Sequence, residues 1–242
     1  MKLITKLSII SILMLAIMSI GTAQTVEDII AKHLKAHGDI NKWDKVESMK
    51  ITGRFTAFSV EDDFFAIKTK DGKYYSELQL GKFGVIEAFN GFTGWTIDPW
   101  QDINFPRELN KNEQNVFVQK AEFFTPFYKY KENGCSIELL GKQVVDGIDV
   151  FAIKLERPNG FIETWYLDAE TYLEYKREST WVDFAYGVPS ETYFDDFREV
   201  DGIIIPFFSE KTFWIRDRVI QIENIELNVD IDESMFIIPK SE

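Results

Sequence analysis

From residue 25 onward the apolar positions recur first with a helical period and then, for most of the chain, with a period of two. In TVEDIIAKHLKAHGD (25–39), Val26, Ile29, Ile30, His33, Leu34 and His37 fall on one stripe, the three-to-four spacing of an amphipathic helix. Thr25 and Asp28 have the spacing of a capping box, and Gly38 supplies the stop. INKWDKVES (40–48) reads as a second short helix that packs Trp43.

Beyond Glu47 the pattern alternates. MKITGRFTAFSV, FFAIKTKDGKYYSELQL and FGVIEAFNGFTGWTI are strand runs, punctuated by the hairpin signals Asp71-Gly72 and Asn90-Gly91. DPWQDINFPREL (98–109), with two prolines, reads as a loop. A helical stretch is predicted over 112–134, where Phe117, Ala121, Phe124 and Phe127/Tyr128 recur at helical spacing. Pro126 kinks or splits that stretch, and Gly134 ends it. Strands resume with SIELLGKQVV, and Asp146-Gly147, Asn159-Gly160 and Asp201-Gly202 mark further turns. In VIQIENIELNVDI, Ile220 and Ile222 are out of phase with Ile225, Leu227 and Val229, the mark of a β-bulge that bends a sheet. The pattern therefore predicts one mainly β (α+β) domain. A single large, curved antiparallel sheet would carry N-terminal helices and a central helical insertion over its concave face.

Residues 1–23 stand apart. Lys2 and Lys6 precede an apolar run from Leu7 to Ile20 and the small residues Gly21-Thr22-Ala23, which is the pattern of a secretory signal peptide cut near Ala23. The mature domain is then 24–242, with a periplasmic location across the inner membrane. The whole chain carries 27 basic and 40 acidic residues, a net charge of −13, and loss of Lys2 and Lys6 makes it about −15. Such a surface repels phosphate backbones, and no basic stripe offsets it, so nucleic acid is not an expected partner. The lone Cys135 allows no intramolecular disulfide and reads as a small buried strand residue.

Candidate chemistry is sparse. Asp168 and Glu170, in WYLDAETYLEYKRES, sit where a hairpin turns, and Asp and Thr there bond their own backbone. The acidic groups at 61–63 and 195–197 are expected at solvated strand ends. His33 and His37, i and i+4 on one helix, have the spacing of a metal pair, but no Glu follows His33 as the zincin pattern requires. A third ligand among the acids is left open, and with none identified no metal site is expected. No nucleophile elbow and no phosphate-cradling glycine loop is present. Catalytic residues and cofactors are therefore not expected. What remains is 21 Phe, 9 Tyr and 6 Trp, enough both for a core and for the wall of a hydrophobic cavity. Phe55, Trp95, Trp165 and Phe213 are the candidates for such a wall, each in a period-two run.

TVEDIIAKHLKAHGDINKWDKVESMKITGRF, AFNGFTGWTIDP, WYLDAETYLEYKRES, TYFDDFREVDGIIIPF and NVDIDESMFIIP together, in this order, resemble the outer-membrane lipoprotein-sorting (LolA-like) family in a divergent branch. The resemblance spans about Thr25 to Pro239. It implies an unclosed half-barrel with a helical lid, and a cavity that shields lipoprotein acyl chains. Phe117, Phe124 and Phe127 would belong to the lid. The family's Arg-Pro stretch inside the cavity is matched here by IKTKDGKYYSE, which has Lys68 and Lys70 but neither Arg nor Pro, and Arg54 on the preceding strand is a loose substitute. The expected function is a non-enzymatic periplasmic carrier for a lipidated protein or other hydrophobic ligand, with a transient membrane-protein partner. Two other classes are a sensor or interaction module on the same fold and, third, a carboxylate-based hydrolase.

Overall fold

The computed structural model describes residues 24–179, 190–213 and 216–239, without the side chains of Leu80, Phe213, Arg216 and Asp217. The expected signal peptide lies outside the described residues. Helix α1 (Val26–Ala36) opens on the Thr25/Asp28 capping box and is followed by the single turn α2 (Ile40–Trp43). Six strands follow: β1 (Ser48–Ala57), β2 (Val60–Thr69), β3 (Tyr74–Leu80), β4 (Phe83–Phe89), β5 (Gly94–Asp98) and β6 (Ile103–Glu108). After helix α3 (Lys111–Lys120) and a run of turns come β7 (Ser136–Val145), β8 (Ile148–Glu156), β9 (Ile162–Asp168), β10 (Glu174–Ser179), β11 (Ser190–Val200), β12 (Ile203–Phe213) and β13 (Arg216–Leu227). Among the described residues no helix is long and apolar enough to cross a membrane.

All thirteen strands form one antiparallel sheet in the order β6-β5-β4-β3-β2-β1-β13-β12-β11-β10-β9-β8-β7. Two meanders are thus joined at a central seam, β1 against β13, and the sheet stays open as a half-barrel. Its edges, β6 and β7, are consecutive in sequence, so the chain between them crosses from one edge to the other over the helix-covered inner face.

The seam carries the bulge that the phase slip at 219–231 predicts. Thr52 faces Asn224 and Gly53 faces Ile222, leaving Glu223 unpaired on β13. Gly53 is there because the strands approach too closely for a side chain: a Cβ would stand 2.1 Å from the Gln221 carbonyl oxygen.

Three expectations are corrected. The loop expected at 98–109 contains a 3-10 turn (Pro99–Gln101) and strand β6, which tolerates Pro106 because it is an edge strand. The helix expected over 112–134 stops at Lys120, six residues before Pro126, and turns carry the chain onward. The aromatic spacing that suggested a longer helix reflects burial of successive turns instead, with Phe127 only 1 % exposed. Cys135 is half-buried in the turn before β7, outside any strand.

Cross-strand pairs share a face, so the register sorts the side chains. The inner face of the β1–β6 half carries Ile51, Phe55, Phe64, Ala66, Tyr74 and Phe89 beneath α2 and α3, continuous across the seam with Ile225, Ile205 and Phe207. That of the β7–β10 half carries Ile153, Leu155, Trp165 and Leu167 beneath α1 and Phe127. On the outer face a C-terminal strap with a 3-10 turn (Glu233–Phe236) covers Ile67, Tyr75, Ala88 and Trp95.

Gly53→Ala is expected to lower stability by about 1–3 kcal/mol, the usual cost of overpacking, read as a shift of the urea midpoint. An unchanged midpoint would show that the seam has room to spare.

Candidate functional site

Between the two apolar halves, the inner face holds a cluster of charged side chains. Arg157, just past β8, is its hub. Its Nη1 and Nη2 donate to the two carboxylate oxygens of Glu122 at 3.1 Å each, and its Nε and Nη2 donate to Glu163 Oε2 at 3.0 and 2.9 Å. Glu163 on β9 is fully buried and also accepts from Trp165 Nε1 at 3.3 Å. Arg177 on β10 lies over the Trp165 ring, with Nη1 3.8 Å from Glu163 Oε1. From the far half, Lys68 on β2 donates to the Glu122 carbonyl oxygen at 3.0 Å. The crossing segment is therefore pinned to both halves at Glu122, and Lys120 adds a 2.6 Å ion pair to Glu87.

The electrostatics of this cluster are unbalanced. Three cations (Lys68, Arg157, Arg177) face two carboxylates (Glu122, Glu163). Burial disfavours the Lys68 ammonium; Glu122 opposes the shift, Arg177 adds to it, and the pKa falls to about 8. Burial likewise pushes the Glu122 carboxyl up, against the pull of Arg157. Arg177 Nε and Glu163 Oε1 have no hydrogen-bond partner among the described residues. The Lys68 ammonium is held by the Glu122 main-chain carbonyl and not by a carboxylate.

A second polar cluster joins α1 to β10. The hairpin turn at 168–171 is built as the sequence suggests: Asp168 Oδ1 accepts from the backbone N–H of Glu170 (2.9 Å) and Thr171 (2.6 Å), while Glu170 is exposed. The turn delivers a different carboxylate, Glu174, paired with Leu167 on the inner face. His37 Nε2 is 2.9 Å from Glu174 Oε2 and His33 Nε2 is 3.6 Å from Oε1. Gly38 lets the helix end press onto β12, where a Cβ would come within 2.4 Å of the Gly202 carbonyl oxygen. That contact sets His37 Nδ1 2.8 Å from the Ile204 carbonyl oxygen. His33 Nδ1 is 2.7 Å from the Tyr172 carbonyl oxygen, and its Nε2 is 2.8 Å from Thr125 Oγ1. Burial disfavours charge on all three groups, yet Glu174 raises the pKa of His37, and the histidines hold Glu174 down at about 2. At His33 burial prevails and the pKa falls.

Of the wall candidates, Phe55 and Trp165 lie on the inner face. Trp95 does not: it pairs with Ala88 and packs on Tyr75 and Phe236 beneath the outer strap, because period two fixes a face only relative to neighbouring strands. The side chain of Phe213 lies outside the described residues. Phe117 packs from α3 against Tyr74 and Phe89, Phe124 stacks on Trp43, and Phe127 meets Trp165 edge-on. Lys68 points inward, Lys70 is exposed beside Glu47, and Arg54 lies on the outer face between Glu61 and Asp63. Glu122, Arg157, Glu163, Glu174 and Arg177 were not anticipated. Glu163 stands in phase with Trp165 and Leu167 on β9, which was the legible signal, whereas the bulge between Glu174 and Lys176 scrambles the phase of Glu174 and Arg177 on β10. A groove of about 470 Å³ opens on the outer face over β1–β4, beside Phe65, Glu77 and Ile86.

No family model matches the chain, and no curated protein matches it in sequence. Solved structures do match in fold. A LolA superfamily protein of Nitrosomonas europaea superposes with a TM-score of 0.55 at 14 % identity, over 89 % of this chain and 98 % of that one. This chain has the LolA-like fold. A DUF1329 family protein of Desulfovibrio piger gives 0.55 at 13 %, covering 89 % and 98 %, and a structure described as an outer membrane lipoprotein-sorting protein domain of Vibrio parahaemolyticus gives 0.55 at 11 %, covering 86 % and 94 %. At such identities these likenesses establish the LolA-like architecture alone.

Arg157→Met, which strands Glu122 and Glu163 without their shared cation, is expected to cost about 3–5 kcal/mol in urea unfolding. A cost below about 1 kcal/mol would mean that the two carboxylates are solvated rather than buried.

Proposed function

We propose that this protein is a periplasmic carrier or binding protein for an amphiphile, taken up on the inner face of the half-barrel: the acyl chains of a lipidated protein or a comparable long-chain anion. The observation that carries this reading is the excess of cations over carboxylates inside an aromatic wall, with Arg177 Nε unpartnered and the buried Lys68 ammonium held by a main-chain carbonyl and not by a carboxylate. The apolar wall stabilises a tail at ~0.8 kcal/mol for each methylene buried. Lys68 and Arg177 complement an anionic head, and ions of opposite charge in such a site must be paired to be stable there. The LolA-like fold and the signal-peptide pattern of residues 1–23 support the carrier role and the location. The chain itself performs no chemistry in this reading.

A second reading, an interaction module whose inner face is filled by its own side chains, is favoured by the near-complete burial of Phe117 and Phe127. Native mass spectrometry separates the two, since a carrier retains lipid and a filled module gives a clean apo mass.

Binding of a fluorescent long-chain fatty acid is the direct test, and its pH dependence identifies the head-group site. Lys68 is charged below about pH 8 and neutral above, so affinity is expected to fall several-fold between pH 7 and 9. The corresponding long-chain alcohol should show no such fall. Lys68→Met should weaken fatty-acid binding about tenfold and flatten the profile, as loss of one charge-assisted contact would. In the empty protein stability should rise from about pH 8 to 10.5, because the unfolded chain there holds a proton that the folded form has released. Fatty-acid affinity that ignores both pH and the Lys68 substitution would place the head group elsewhere.

A further inference from the structure

We propose that His33, His37 and Glu174 form a buried binding site for a divalent transition metal, with zinc as its best-matched ion. The three ligand atoms come from two elements far apart in sequence, α1 with its C-cap and β10, and lie within 4.8 Å of one another. Measured to one carboxylate oxygen, Glu174 Oε1, the separations of 3.6 Å from His33 Nε2 and 3.1 Å from His37 Nε2 already bracket the ~3.3 Å between ligands of a tetrahedral ion bound at about 2.0–2.1 Å. Both rings are oriented for this task. Each Nδ1–H donates to a main-chain carbonyl, Tyr172 for His33 and Ile204 for His37, which leaves both Nε2 atoms facing the carboxylate. Metal-bound imidazoles are held in this way by their outer hydrogen bonds.

The two rings stand edge to face with centroids 4.8 Å apart, which brings both Nε2 atoms to the same carboxylate. Thr125 Oγ1, 2.8 Å from His33 Nε2, is placed to take the fourth position or to hold a water there. Two nitrogens and a carboxylate suit zinc and disfavour calcium or magnesium, which take oxygen ligands. The residues are 0 %, 3 % and 7 % exposed, so the site is closed and structural, clamping α1 to β10 and β12. It lies apart from the Lys68–Arg177 cluster and does not depend on the ligand proposed above.

His33 and His37 are the only histidines of the chain, so any imidazole-bound metal spectrum in tag-free protein must come from this site. Chelator-treated full-length mature protein should take up one zinc ion per chain. At a zinc concentration a hundredfold above Kd, its thermal midpoint should rise by about 5–10 °C, whereas calcium at the same concentration should not shift it. Cobalt(II) should give the visible absorption bands of a tetrahedral site. His33→Gln should abolish the zinc shift and the cobalt bands while the far-ultraviolet circular dichroism stays that of the parent. Absence of cobalt bands and of a zinc shift in the parent protein overturns the proposal, and needs no variant to fold. An equal calcium shift, or a zinc shift that survives His33→Gln, overturns it too by assigning the metal to the acidic surface.

Discussion

The structure depends on one topological constraint: the two open edges of a thirteen-stranded sheet are neighbours in the chain. The segment from β6 to β7 must therefore cross the whole inner face, and it is the chief cover that face has besides α1 and α2. It crosses as a short helix followed by turns, which exposes backbone and side-chain polar groups that an apolar floor cannot satisfy. The charged cluster answers that problem. Arg107 grips Glu113 at the start of α3, Lys120 reaches Glu87, Lys68 takes the Glu122 carbonyl, and Arg157 takes its carboxylate. Polar fasteners differ from a continuous apolar core in one respect: they can be exchanged for bonds to water or to another polar group.

Much of this was legible in the residues. Period-two runs, Asx-Gly turns, the capped first helix and the phase slip at 219–231 all have local causes, and each lies where the sequence places it. The LolA-like resemblance agrees with the fold as a whole. What failed was non-local. Trp95 alternates as well as Trp165 does, but only the pairing of β5 with β4, and the strap arriving from the C-terminus, decide that it faces outward. Beyond Lys120 the crossing segment has helical spacing without being a helix, because burial on a curved floor also selects aromatics at short intervals. Glu174 was hidden by a bulge one residue beyond it, and with it the third member of the histidine cluster.

The two polar clusters divide the inner face into different tasks. Around His33, His37 and Glu174 every ring nitrogen has a partner and the packing is closed, as suits a fastener between α1 and the sheet. Around Arg177 and Lys68 charge is in excess and atoms are left over, as suits a place where something else binds. The outer groove beside Phe65 and Ile86 is the rival location for a hydrophobic ligand, and it has acidic rather than basic neighbours in Asp63, Glu77 and Glu223. An anionic head would be repelled there.

The central claim, that an amphiphile is held on the inner face with its head at Lys68 and Arg177, is tested most directly by photolabelling with a diazirine-bearing long-chain fatty acid and mapping the modified peptides. The account predicts labels on inner-face segments, β1 and β2 around Phe55 and Phe64, α3 around Phe117, and β9 around Trp165, with competition by unlabelled fatty acid. Labels confined to Phe65, Ile86 and their outer-face neighbours, or labelling that excess fatty acid does not reduce, would contradict it.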